Sequence, residues 1–129
     1  PEIPAMDDTT RQALARSQTI DITTTGRRTG VPRRIEIVFF NFDGRIYISG
    51  RPSPRRRSWL ANLEADPSVT FHLKSAVHAD LQGTAREIKD PVERREILAK
   101  VAQAWGRTDL DRMVAESPLI EVSFPTLAA

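Results

Sequence analysis

Two stretches of this chain concentrate side chains that grip anions. The first is Thr23-Thr24-Thr25-Gly26-Arg27-Arg28-Thr29-Gly30-Val31-Pro32-Arg33-Arg34, where four arginines flank a turn with two glycines. The glycines free the backbone to present successive N–H groups, which can cradle a phosphate or carboxylate. The guanidinium fork suits bidentate contact with such oxygens. The spacing is not that of a Walker loop. The second is Ser49-Gly50-Arg51-Pro52-Ser53-Pro54-Arg55-Arg56-Arg57-Ser58-Trp59-Leu60-Ala61-Asn62. Here a loop runs into a short helix, whose amino end offers free N–H groups and a partial positive charge. Trp59 adds a flat face. Taken singly, the first stretch also reads as a solvated hairpin tip and Trp59 as plain core. Taken together, they read as one anion-binding rim.

Charge distribution supports the joint reading. Gly26 to Ser58 holds nine arginines and two acids, Glu36 and Asp43. That segment therefore carries +7, and the rest carries −5 against a net charge of +2. Such asymmetry points to a polyanionic partner. A nucleic-acid partner would account for the arginines but would leave the paired loops unexplained, so none is expected.

Other chemistry finds little support. Cysteine is absent, which excludes a disulfide framework, a thiolate metal site and a cysteine nucleophile. The two histidines, His72 and His78, lack partners at metal-ligand spacing, so no metal is expected and His72 reads as a packed or surface residue. The serines lack the context of a nucleophile elbow. Tyr47 reads as a sheet residue. Pro1 to Thr10 carries no basic-then-apolar signal pattern, no apolar run approaches the ~18 residues of a membrane span, and the cytoplasm is the expected compartment.

The elements that must position these loops follow from periodicity. Asp7 to Arg16 reads as a short helix capped by Asp7 or Asp8. Ile20 and Ile22 alternate with polar residues as a strand. Arg33 to Phe42 is a long strand, with Ile35, Ile37 and Phe39 on one face and Glu36, Val38 and Phe40 on the other. Asp43-Gly44 is a hairpin signal, and Ile46 to Ile48 is the return strand. Ser58 to Glu64 reads as a helix. Val69 to Leu73 and Asp80 to Ile88 are strands, the latter interrupted at Gly83 by a bulge or a close approach. Asp90-Pro91-Val92-Glu93 starts a helix with Leu98, Val101 and Trp105 on its apolar side, and Gly106 ends it. Thr108 to Glu116 is a further helix, and Ile120, Val122 and Phe124 form a closing strand. The fold class expected is α+β: a six-stranded antiparallel sheet curled into a barrel, with short flanking helices.

The run Thr24-Thr25-Gly26-Arg27-Arg28-Thr29-Gly30-x-Pro32-Arg33, then Asp43-Gly44-Arg45, then Trp59-Leu60-x-Asn62-Leu63-x-x-Asp66-Pro67-x-Val69, resembles the deazaflavin-dependent nitroreductase and quinone-reductase family. The resemblance covers roughly residues 18 to 124. It implies a split β-barrel of the flavin-reductase and pyridoxamine-phosphate-oxidase type spanning residues 18–126, preceded by an N-terminal helix or arm over 1–17. It implies coenzyme F-420, a deazaflavin with a phosphate and an oligoglutamate tail, with FMN as the alternative. It also implies an actinobacterial source, a homodimer and, for some members, work on quinones at a membrane surface.

Carried over by position, Arg28, Thr29, Gly30 and Arg33 match the phosphate-proximal loop. Ser49, Gly50 and Arg51 match the strand end beside the deazaflavin ring. Ser58, Trp59 and Asn62 match the helix start that flanks the cofactor, and Arg55, Arg56 and Arg57 complete the rim for the tail. The implied activity is hydride transfer from reduced F-420 to an apolar acceptor, a quinone or an unsaturated acyl compound. The alternative is a non-catalytic binder of a flavin, deazaflavin or fatty acid. Two departures qualify this. Glu36 would put a carboxylate near an anion site. The carboxyl-terminal half has no tyrosine where nitro-reducing members place tyrosines, so nitroreduction is not expected. Phe39, Phe40 and Phe71 read as core or as the lining of an acyl pocket.

Overall fold

The computed structural model describes residues 6–125. The elements run α1 (Asp8–Leu14), β1 (Gln18–Thr25), β2 (Pro32–Phe42), β3 (Arg45–Ser49), α2 (Ser58–Ala65), β4 (Ser68–Lys74), β5 (His78–Glu87), α3 (Pro91–Trp105), α4 (Leu110–Glu116) and β6 (Leu119–Ser123). The expected arm over 1–17 and barrel over 18–126 therefore begin and end outside the described residues, at 1–5 and at 126.

Short local signals start and stop these elements. Asp7 caps α1 by accepting from the Thr10 N–H at 2.7 Å. The Asp43-Gly44 turn has φ values of 56° and 85°, the pair of positive angles that matches the twist of a tight hairpin. Asp90 caps α3 through the Glu93 N–H at 2.9 Å, and Gly106 ends that helix at φ 65°.

All strand pairs are antiparallel, and the sheet closes as β1-β2-β3-β6-β5-β4. Closure leaves no unpaired edge. The inward residues Ile20, Ile22, Phe39, Ile48, Val69, Phe71 and Ile120 fill the barrel. Its two ends are stopped by helices: Leu14 of α1 at the start of β1, and Trp59, Leu60 and Leu63 of α2 at the other. A second core lies outside the barrel wall, where Ile97, Leu98 and Val101 of α3 and Met113 of α4 cover Phe40 and Tyr47. This explains the unbroken apolar run of β3. Ile46 and Ile48 face the barrel interior while Tyr47 faces α3, so both sides are buried.

Several expectations need correction. Phe39 and Phe71 are fully buried and meet edge to face at 5.1 Å inside the barrel, whereas Phe40 packs outside it. They form two cores rather than one acyl pocket. Gly83 sits in unbroken register, opposite Val69, so there is no bulge. Instead a Cβ there would meet Val122 Cγ1 at 2.9 Å, which makes it a close approach of β5 to β6. Trp105 is not core: it is 36% exposed and rests edge-on against Phe40. His72 does have a carboxylate neighbour. Its Nδ1 lies 2.7 Å from Asp80 Oδ1, and its Nε2 lies 2.7 Å from Thr23 Oγ1, a tie across β1, β4 and β5 on the outer wall.

Candidate functional site

The connection between β1 and β2 folds back on itself. The Gly26 N–H donates to the Val31 carbonyl at 2.9 Å, and the Gly30 N–H to the Gly26 carbonyl at 2.8 Å. A Cβ on Gly26 would stand 2.9 Å from that Val31 oxygen, so the tight turn requires glycine. Thr29 Oγ1 accepts from the Val31 N–H, completing a compact loop.

Helix α2 fastens this loop in place. Asn62 is 3% exposed. Its Oδ1 accepts from the backbone N–H of Arg27 and from Arg27 Nη1, each at 3.1 Å. Its Nδ2 donates to Thr24 Oγ1 at 3.1 Å. One amide thus binds a strand end, a loop and a helix. Arg27 is engaged by it. Arg28 and Arg33 make no ion pair and no side-chain hydrogen bond among the described residues, and both are exposed.

The second arginine-rich stretch arrives at the same place. Arg57 precedes α2 in extended backbone, and no side chain caps the first turn of the helix. Its guanidinium donates to the Arg51 carbonyl at 2.6 Å. Burial pulls its pKa below the ordinary arginine value. Gly50 makes room for it, since a Cβ there would sit 3.3 Å from Arg57 Nη2.

Between the two stretches lies a cleft of about 670 Å³. Arg27, Arg28 and Thr29 line it from the first loop, and Arg33 and Ile35 from β2. Arg57, Ser58, Trp59 and Asn62 line it from the second stretch. Four arginines line it, and no carboxylate or histidine is among its lining residues. Glu36 does not intrude. It lies on the outer face of β2 and pairs with Lys74. Ile35 was missed, although it lies two residues after Arg33 and so shares its face.

Other expected site residues lie elsewhere. Gly30 shapes the loop at φ 72° without lining the cleft. Ser49 is 1% exposed and donates to the Pro118 carbonyl at 2.7 Å, a structural bond. Gly50 and Arg51 act behind Arg57. Arg55 and Arg56 turn to a neighbouring cleft, where Arg56 bridges Glu87 and Glu64. The hydrogen bond to Glu87 is the main reason its pKa rises.

The cleft fits a ligand that is anionic at one part and flat at another. Its size is that of a small-molecule site. Residues 5–120 match the family model described as F420H(2)-dependent quinone reductase. The chain belongs to that family. Among solved structures similar to this family member is a conserved hypothetical protein from Mycobacterium tuberculosis, at TM-score 0.72 and 19% identity, over 94% of this chain and 82% of that one. A structure named F420-H2 Dependent Reductase aligns at TM-score 0.59 and 21% identity, over 95% of this chain and 100% of that one. A Listeria innocua protein described as a pyridoxamine 5′-phosphate oxidase aligns at TM-score 0.67 and 15% identity, over 92% of both chains. These likenesses place the fold among the split barrels. The quinone reductase family is F-420-dependent, so the cofactor is coenzyme F-420 and the chain is an F-420-dependent oxidoreductase. The cleft's chemistry is compatible with such a group: Arg28 and Arg33 are exposed cations with no ion pair among the described residues, and Ile35 and the edge of the otherwise core-packed Trp59 give an apolar wall.

Proposed function

We propose that this reductase holds F-420 in the cleft between the Gly26–Val31 loop and α2, and reduces an apolar acceptor of the quinone or unsaturated acyl class there. The observation that carries the reading is the convergence of two arginine stretches, far apart in sequence, on one cleft that holds no acid. Bound in its reduced form, the cofactor supplies a hydride.

The chain's own residues position and polarise. Arg28 and Arg33 hold the phosphate. Arg57, thinly hydrated and anchored to the Arg51 carbonyl, presents a fixed positive charge beside the N–H groups of the α2 amino end. Ile35, with the edge of Trp59 that its packing in the core leaves uncovered, supplies the apolar surface against which ring and acceptor lie. The lining holds no carboxylate, histidine or lysine, so the acceptor takes its proton from water.

Replacing Arg28 and Arg33 together by alanine tests the site. Each charge-assisted contact is worth about 1.5–3 kcal/mol. The double variant is expected to lose F-420 binding by roughly a hundredfold or more, as followed by cofactor fluorescence, while its thermal melt stays that of the parent. Undiminished affinity would refute the assignment. The same cleft also fits one other reading, a binder that sequesters the cofactor without turnover. Oxidation of reduced F-420 in the presence of menadione separates the two. A homodimer belongs to the same proposal and is checked by the mass in solution.

A further inference from the structure

The outer wall of the barrel carries a second group of reactive side chains, none of which lines the cleft. Thr23 of β1, His72 of β4 and Asp80 of β5 share that face, because β4 pairs with both of the other strands. His72 Nδ1 lies 2.7 Å from Asp80 Oδ1, and His72 Nε2 lies 2.7 Å from Thr23 Oγ1. An ionised carboxylate only accepts, so Nδ1 carries the ring proton and Nε2 of the neutral ring is left as an acceptor. The Thr23 hydroxyl therefore donates to Nε2. The hydrogen bond from His72 is also the main reason the Asp80 carboxyl lies below its ordinary range. Arg34 stands opposite Thr23 across β1 and β2. Its Nε donates to Asp21 at 2.9 Å, while its two Nη atoms make no hydrogen bond among the described residues. The other charges of this face satisfy each other, since Lys74 holds both Asp21 and Glu36.

We propose that Thr23, His72 and Asp80 act as a hydroxyl–imidazole–carboxylate triad that transfers the acyl group of small activated esters to water, with Arg34 as the cation beside the developing oxyanion. Asp80 fixes the tautomer and orientation of a ring in a residue that is 7% exposed. His72 is then the base that a threonine hydroxyl needs to become a nucleophile. Thr23 Oγ1 gives its proton to Nε2 and bonds to the carbonyl carbon. The bond from that carbon to the leaving oxygen breaks as the leaving alcohol takes the proton from Nε2. Water next gives a proton to the same nitrogen and attacks the acyl carbon, and Thr23 leaves with that proton as the carboxylic acid departs. Backbone N–H groups of the wall are engaged in the strand ladders, so the free Nη atoms of Arg34 are the donors at hand for the oxyanion. The side chains of Arg34 and Asp80 are 55% and 71% exposed, so the face is open and suits a short acyl chain on a good leaving group. No cofactor takes part, and the activity is separate from that of the cleft.

The test compares the parent with Thr23→Val and Asp80→Asn. Valine keeps the β-branched shape and removes only the hydroxyl. Asp80 is exposed, so its amide variant keeps the fold, but the amide can donate to Nδ1 and so leave the ring proton on Nε2, where it blocks the base. Two probes are used on the full chain. Release of nitrophenol from p-nitrophenyl acetate measures turnover, and it is expected to fall by roughly tenfold or more in each variant. A fluorophosphonate, which bonds to an activated hydroxyl oxygen as fluoride leaves, measures the nucleophile. Mass analysis of the digested protein is expected to place that adduct on Thr23 in the parent. An unlabelled Thr23 overturns the proposal, as would adducts confined to lysines or the amino terminus. So does a release rate that either variant leaves unchanged.

Discussion

Asn62 is the residue on which the first cleft depends most. A buried amide that accepts twice from Arg27 and donates to Thr24 has no room for a substitute. Asn62→Ala leaves Thr24 and the Arg27 N–H without partners and is expected to lower stability by about 1–3 kcal/mol. Denaturant melts measure that loss, and cofactor affinity should fall with it because the loop is released. Gly50→Ala is expected to weigh more on affinity than on stability. The added methyl would meet the Pro118 ring at 3.2 Å and the tip of Arg57 at 3.3 Å, so affinity should drop severalfold with a modest loss of stability. At this scale the sequence was only partly legible. Arg28 and Arg33 could be read as exposed charges beside the turn, because exposure and charge there need no distant neighbour. Ser49 and Arg56 could not, because which way a serine or arginine turns is decided by neighbours far along the chain, Pro118 for one and Glu87 for the other.

Among the elements, β6 and its partners carry a four-membered charge network. Glu121, whose side chain is 12% exposed, accepts from Arg45 at 2.7 Å and from Arg86 at 2.9 Å. Arg86 also holds Glu93 of α3 at 2.7 Å. The chain of contacts joins β3, β6, β5 and the helix that covers them. Burial alone would raise the Glu121 pKa, but the hydrogen bonds from Arg45 and Arg86 outweigh it and hold it below the ordinary carboxylate value. A lowered native pKa means that the unfolded chain binds the proton more readily. The stabilisation is therefore complete above the unfolded value of about 4.3 and is lost as pH falls through the native one. Glu121→Gln should cost about 1 kcal/mol at neutral pH, discounted for its half-exposed partners. The gap between the two melting temperatures should close on acidification below about pH 4. The strands themselves were readable from period-2 alternation and turn residues. The cross-strand tie of His72 was not, because Asp80 comes opposite it only through register.

Over the molecule as a whole, four of the nine arginines of residues 26–58, Arg27, Arg28, Arg33 and Arg57, are gathered at the end of the barrel where β1 and β2 meet α2, while Arg45 lies at the β2–β3 hairpin against Glu121. Exposed charges act over about 8 Å at physiological ionic strength. Cofactor affinity is therefore expected to weaken with added salt, by roughly tenfold between low and physiological concentrations. The slope should flatten in the Arg28 and Arg33 double variant, which isothermal titration at several salt concentrations would reveal. The barrel was foreseeable from the count of strands and hairpins, but the seating of β6 between β3 and β5 was not, because nothing local records such a pairing. That seating has a temporal consequence. Both arginine-rich stretches leave the ribosome early, yet the wall that holds them is sealed only when residues 119–123 emerge and slot into the last gap. A nascent or prematurely terminated chain should then be unable to capture the coenzyme, so that only completed copies draw on the cell's supply.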